Sequence, residues 1–318
     1  MTCGVARGAG SVVGGLKDRV VEATTGLFSH GPRPLEHTLE YAPDPGLLGP
    51  DSVSWRVIGD AAAFVGGIRA LVVQTAHPEV VAGVEQHSRY RYDPLGRLTR
   101  TSFYVTETTY GAMPEVEQAV AMVRTAHRPV SGRSDRGRPY SAGKPELAAW
   151  VHNVLTESFL AAYEAYGPEP LAPDDADRFV EEQTRIGALL GADPMPSTAA
   201  ELRAWVADHP DLATTADLRH AIEFLRDPPL SIPVKAGYRP LFQAALATLP
   251  ERVRSIVELE PGWRAEEIGR CATGGLRWAL GSSPSWHVSL VRTGAPVPDG
   301  LFRQPLREDA RAMVAASG

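Results

Sequence analysis

The run Asp60-Ala61-Ala62-Ala63-Phe64-Val65-Gly66-Gly67-Ile68-Arg69-Ala70-Leu71-Val72-Val73-Gln74-Thr75-Ala76-His77-Pro78 decides the fold. Residues 61–76 are apolar almost all round, so neither an amphipathic surface helix nor an alternating strand accounts for them. Asp60 supplies an N-cap and His77-Pro78 a stop. With Gly66, Gly67 and Arg69 inside it, the run falls short of the roughly 20 apolar residues that span a bilayer. It reads as a central helix that other helices must surround.

Outward from it, the neighbours read as helices too. Residues 79–87 follow at once. Residues 103–111 read as helix, because helices surround them and no partner strand is evident. Residues 115–126 carry Val116, Val120 and Val123 along one face, a stripe that His127 extends. Residues 128–143 form a polar loop rich in Gly and Pro. Pro145 suits a first helical position, and 146–163 follow with Ala148, His152, Leu155 and Phe159 on one face. Further helices are predicted over 174–190, 198–208, 212–226, 241–248, 250–258 and 264–280. The acids Asp174-Asp175 and Glu181-Glu182 read as the solvent face of a helix start, and Ser282, Ser283 and His287 as loop residues. Residues 1–47, interrupted by Pro32, Pro34, Pro43 and Pro45, read as a loop-rich N-terminal extension ahead of a domain over 48–318. The chain is expected to be all-α.

Composition narrows the chemistry. The 318 residues carry a net charge of -6, nine histidines and two cysteines. Cys3 and Cys271 cannot make a disulfide framework, a thiolate zinc site or an iron–sulfur centre. A mild acidic balance argues against nucleic acid as a partner. Of 32 basic residues only Lys17, Lys144 and Lys235 are lysines, so a single arginine carries little weight. Residues 1–25 lack the continuous apolar stretch of a signal peptide, and a cytoplasmic protein without stable membrane insertion is expected. No P-loop, dinucleotide fingerprint, nucleophile elbow or H-E-x-x-H motif is present.

The histidines are the informative class. His30, His37, His209 and His220 stand in polar or Pro-flanked surroundings and read as exposed. His77, His87 and His127 sit at helix ends, where capping of free carbonyls competes with chemistry. His152, in Trp150-Val151-His152, points to the apolar side of its helix. A histidine there is either a satisfied core residue or, facing a cavity, the single imidazole that a haem iron needs. On the other side, Arg97-Leu98-Thr99-Arg100-Thr101 would present two guanidinium groups and a hydroxyl on one helical surface. They are either oxygen- or propionate-binding donors, or a surface cluster paired with Asp93 or Glu107.

Several segments together carry a resemblance: residues 48–55 (Leu-Gly-Pro-Asp-Ser-Val-Ser-Trp), Gly67-Ile68-Arg69-Ala70-Leu71, Gln74-Thr75-Ala76-His77-Pro78, His87-Ser88, Asp93-Pro94-Leu95-Gly96-Arg97, Arg100-Thr101, Tyr140-Ser141-Ala142 and Trp150-Val151-His152. Their order and spacing, over about 48–263, resemble the family that unites the catalytic domain of rubber oxygenase (latex clearing protein) with the fungal MpaB-type oxygenases. The resemblance implies a single globin-like helical domain of about ten helices enclosing a haem pocket, haem b as cofactor and His152 as the metal ligand. It places Arg97 and Thr101 in the family's Arg-x-x-Lys-Thr motif. Here Arg100 replaces the lysine. A guanidinium stays protonated and is a poor iron ligand, so the distal position is expected to stay open, with Arg100 as a donor. His77 is typical of the family at its position and stands second as a catalytic candidate. His127 stands third, as a haem contact beside Arg97. Glu79 and Glu85 are candidates for a distal base.

The expected function is a haem-dependent oxidoreductase acting with dioxygen or peroxide on an intracellular small molecule, by oxygenation, C=C cleavage or desaturation. A secondary metabolite or an isoprenoid-like compound fits better than a polymer. The alternatives are a non-catalytic haem or gas-binding protein and a haem-free helical binding module. A homodimer is left open.

Overall fold

Prolines and small polar caps divide the chain into helices. The computed structural model describes residues 6–317, with the side chains of 14–316. It contains α1 (Ala6–Leu27), α2 (Val53–Gly59), α3 (Ala62–Gln74), α4 (Pro78–His87), α5 (Pro94–Tyr110), α6 (Met113–His127), α7 (Pro145–Tyr166) and α8 (Asp175–Leu189). Then come α9 (Ala199–Asp208), α10 (Ala216–Arg226), α11 (Ile232–Ala247), α12 (Glu251–Val257), α13 (Ala265–Leu280), α14 (Pro284–Thr293) and α15 (Glu308–Ser317). Pro at the first positions starts α4, α5, α6, α7, α11 and α14, where a missing N–H costs nothing. The protein is all-α.

The expected central helix is α3, and its main partner is α7. Gly66 permits the approach: a Cβ there would lie 2.7 Å from Cδ1 and 3.0 Å from Cα of Phe159. Arg69, fully buried, spans the junction. Its Nη2 donates to Glu157 Oε1 at 2.9 Å, its Nη1 to Ser158 Oγ at 2.8 Å, and Nη2 again to the Thr248 carbonyl at 3.2 Å, beyond α11. The main core gathers Val72, Val73, Trp150, Val154, Phe179, Leu202, Leu246 and Val253 around this pair. A second core joins Leu35, Trp55, Tyr110, Val288 and Leu290. There Trp55 Nε1 donates to the Thr109 carbonyl at 2.7 Å and Tyr110 Oη to the Trp55 carbonyl at 2.9 Å.

Five expectations change. The described part of the N-terminal extension is not only loop: residues 6–27 form α1, which packs on α13 and α5, while Leu35 enters the second core. Cys3 lies outside the described residues. Fifteen helices are described rather than about ten, since α1, α2, α14 and α15 carry weak sequence signals. His287 belongs to α14, which starts at Pro284 after the cap Ser283. Residues 131–141 are not all loop but a two-stranded antiparallel hairpin, β1 (Ser131–Arg133) with β2 (Pro139–Ser141), in the register Gly132 to Tyr140. Finally, Asp175 and Glu182 are buried. Glu182 accepts from the Val53 and Ser54 N–H groups at 3.0 and 2.8 Å, satisfying the first turn of α2, and Asp175 pairs with Arg56. Among the described residues no single helix is long and apolar enough to cross a membrane.

Candidate functional site

The helices α5 and α6 form an antiparallel hairpin joined through Gly111-Ala112. At about 1.5 Å per residue, His127 and Arg97 lie at nearly equal distances from the turn, and the charge of Arg97 acts on His127. The local chemistry agrees. Asp93 caps α5 by accepting from the Gly96 N–H at 3.0 Å, and Pro94 begins it. Burial, and then the positive charge of Arg97, lower the His127 pKa. Yet the residue is exposed. The ring is partly desolvated yet reachable from solvent, and its lowered pKa favours the neutral form.

The rest of the motif is divided. Arg97 is half-buried and donates from Nη1 to Ser88 Oγ at 2.6 Å. Thr101 is exposed and its hydroxyl donates to the Arg97 carbonyl at 3.1 Å. Arg100 points to solvent and sits 3.5 Å from Asp93, the ion pair that a surface cluster would make. Glu107 is buried elsewhere, so it pairs with none of them. Tyr104 shares the face of Arg97 and Thr101 at the i+7 and i+3 positions. Its hydroxyl is buried without a partner, and burial raises its pKa. Nothing in the sequence singles this residue out.

On α3, Phe64, Gly67, Ile68, Leu71 and Gln74 form a half-exposed stripe although the helix is apolar nearly all round. A Cβ at Gly67 would meet open space, whereas one at Gly66 would collide. Ile68 of this stripe and Val105 of α5 both pack at the rim of the main core. Phe28, beyond α1, reaches Phe64 at a ring separation of 6.1 Å, and the Leu27 carbonyl reaches Thr99 Oγ1 at 3.5 Å.

His152 is in the interior, as its position on α7 predicts, but its ring is committed. Nε2 lies 2.8 Å from the Gln183 carbonyl. A carbonyl only accepts, so Nε2 carries the proton. Helix α8 is in direct contact: a Cβ at Gly187 would lie 2.8 Å from Cδ2 and 3.1 Å from Nε2 of His152. Burial lowers its pKa to about 4 despite that hydrogen bond. Gln183 is held in turn by its own side chain, whose Nε2 donates to Ser54 Oγ at 3.0 Å. As folded, the His152 ring ties α7 to α8 through Nε2, which leaves Nδ1 as its uncommitted nitrogen. His127 is the more accessible of the two imidazoles. The partnerless Tyr104 hydroxyl and the open space at Gly67 suit a flat apolar group with polar edges.

His77 begins α4 and is 4% exposed. It caps no carbonyl. Its ring packs at a tilt against Trp150 and His209, at centroid separations of 5.6 and 5.4 Å. Burial, and then His209, lower its pKa to about 4. Glu79 accepts from Ser134 Oγ at 2.8 Å and from Arg136 Nη2 at 2.5 Å, and these donors hold its pKa down against burial. Glu85 accepts from Tyr90 and from Arg91 at 2.7 Å. Both candidate bases are thus held by donors. His209, expected at the surface, is half-buried between Trp150 and Trp205.

No curated protein and no solved structure gives a significant match to this chain. One family model does, described as ER-bound oxygenase mpaB/B'/Rubber oxygenase, catalytic domain, and it covers residues 55–280. That span runs from α2 to the end of α13 and holds the α5–α6 hairpin, the α3–α7 pair and His77, His127, His152 and His209, so the chain belongs to the mpaB/rubber oxygenase catalytic-domain family.

Proposed function

We propose that this protein is a haem-b-dependent oxygenase of a small apolar molecule, with His127 as the ring that holds the iron and Arg97 as the principal charged donor beside it. The observation that carries this reading is the pairing of an accessible, neutral imidazole with a half-buried guanidinium at the open end of the α5–α6 hairpin. Bound there, haem would supply the activation of dioxygen or peroxide that side chains cannot.

The chain's own residues do the rest. Burial and Arg97 keep a proton off His127, which leaves a ring nitrogen free to act as a ligand. Arg97 spends Nη1 on Ser88 and keeps its other donors for an anionic edge or a polar oxygen. Thr101 adds a hydroxyl one turn on, and Arg100 stays a charged donor at the mouth. The stripe from Phe64 to Leu71 offers an apolar wall for a hydrocarbon-rich substrate and excludes water where the reaction occurs.

Reconstitution with haem tests this. The wild-type chain should take up one haem and show a Soret band. His127→Ala should weaken haem binding at least tenfold and change the ligand-field bands, while His152→Ala, if folded, should keep them. The opposite pattern, or no Soret band in the wild type, sinks the assignment. Product formation from candidate alkenes under dioxygen or peroxide, lost in Arg97→Ala, separates an oxygenase from a haem carrier.

A further inference from the structure

Away from the α5–α6 hairpin, a cavity of about 710 Å³ opens between the start of α4, the hairpin residues Arg138 and Pro139, the start of α7 and the end of α9. His77, His209 and Asp211 line it together. One ligand atom from each lies within 4.8 Å of the other two. The sequence separates His77 from the pair by more than 130 residues, and the fold brings them together through tilted and edge-on ring contacts around Trp150 and Trp205.

We propose that His77, His209 and Asp211 form a binding site for a divalent first-row transition ion, with zinc as the reference occupant. Two imidazoles and one carboxylate are the donor set that such ions select, and hard oxygen-seeking ions such as calcium or magnesium do not. Three bonds of about 2.0–2.2 Å in tetrahedral array require donor separations of about 3.3–3.6 Å, which side-chain rotation of the half-buried His209 and Asp211 can reach.

A second observation points the same way. His77 is 4% exposed, and its Nδ1 is buried without a hydrogen-bond partner. A buried ring nitrogen without a partner is unfavourable, and an ion on Nε2 fixes the proton on Nδ1, where a carboxylate can accept it. Glu79 Oε2 stands 3.5 Å from Nδ1. With the ion on the other ring nitrogen, Nδ1 carries the proton and turns it toward Glu79, the carboxylate–histidine–metal arrangement that orients a ligand ring. Arg136 and Arg138 are the opposing charges. Arg136 is shared between Glu79 and Asp211, whose backbone carbonyl it also reaches at 3.2 Å, and both arginines meet the Asp211 carboxylate through Oδ1, which leaves Oδ2 for the ion. Three protein donors leave a coordination position facing the cavity, so the ion can take a small oxygen or nitrogen ligand there.

The proposal is independent of haem. Titration of the chelator-treated full-length protein with zinc chloride, followed by calorimetry, should show one equivalent bound, and cobalt(II) should give visible d–d absorption in the same stoichiometry. His209→Ala and Asp211→Asn, neither fully buried, should each weaken zinc binding at least tenfold while circular dichroism stays unchanged. His37→Ala, on the surface, should bind as the wild type does. Absence of a stoichiometric zinc site in the wild type, undiminished binding in both variants, or an equal loss in His37→Ala overturns the proposal. Haem uptake in the same variants reports on the hairpin site alone, so the two assignments fail separately.

Discussion

Arg69 and Glu157 show what single residues decide. Each lies in a helix interior, and an isolated charge there would be intolerable. Together with Ser158 and the Thr248 carbonyl they are fully hydrogen-bonded and lock α3 to α7. Removing one partner leaves the other charged and buried. Glu157→Gln should therefore lower stability by about 3–5 kcal/mol in urea unfolding, whereas replacing both partners by apolar residues should recover much of it. The adjacent glycines give a sharper contrast. Gly66→Ala pushes a methyl into Phe159 and should cost about 1–3 kcal/mol. Gly67→Ala meets open space and should stabilise by about 0.5–1 kcal/mol through helix propensity, so equal effects at the two positions would contradict the packing described.

At the scale of elements, the α5–α6 hairpin joins a site at its open end to a pH-sensitive anchor near its closed end. Glu107 is buried, accepts from the Leu35 N–H at 2.8 Å on Oε1 and leaves Oε2 unsatisfied. Burial raises its pKa to about 7, reinforced by Glu115 and opposed by Leu35 and Arg292. The folded state then keeps a proton that the unfolded chain releases above the ordinary 4.5. The contribution is fully present below that value and is lost as pH rises through 7, with a cost on the order of 3 kcal/mol once the carboxylate is charged. Glu107→Gln keeps the acceptor for Leu35 without the charge. It should raise the thermal midpoint at pH 8 and change it little at pH 5; a uniform shift at both would refute the burial argument.

For the whole molecule, the two proposed ligand sites lie on different helices, so their contributions to stability should be separable. A ligand that binds only the folded chain adds about 2.7 kcal/mol at 100 times its Kd. Saturating haem should raise the melting temperature of the wild type and of His209→Ala but not of His127→Ala. Zinc should do the reverse. A shift by both ligands that survives in both variants would place neither site where the folded helices do.

The existence of most helices follows from the sequence alone, because an apolar period bounded by prolines is a local property. The run 61–76 becomes α3 at Ala62–Gln74, and Pro145 does start α7. Where the local signal is weak, tertiary contacts decide: α1 is glycine-rich and is held against α13 and α5, and α14 hides behind two serines that read as loop. The site was only half legible. The sequence names His152 as the metal ligand, on the buried face of α7, with Arg97, Arg100, Thr101, His77 and then His127 as further candidates. It does not show that α8 meets the His152 ring at Gly187, that Tyr104 is left without a partner, or that His77 faces His209 and Asp211. The helical period tells which way a side chain points from its own axis. What stands opposite depends on how helices distant in the chain cross, and only the folded packing determines that.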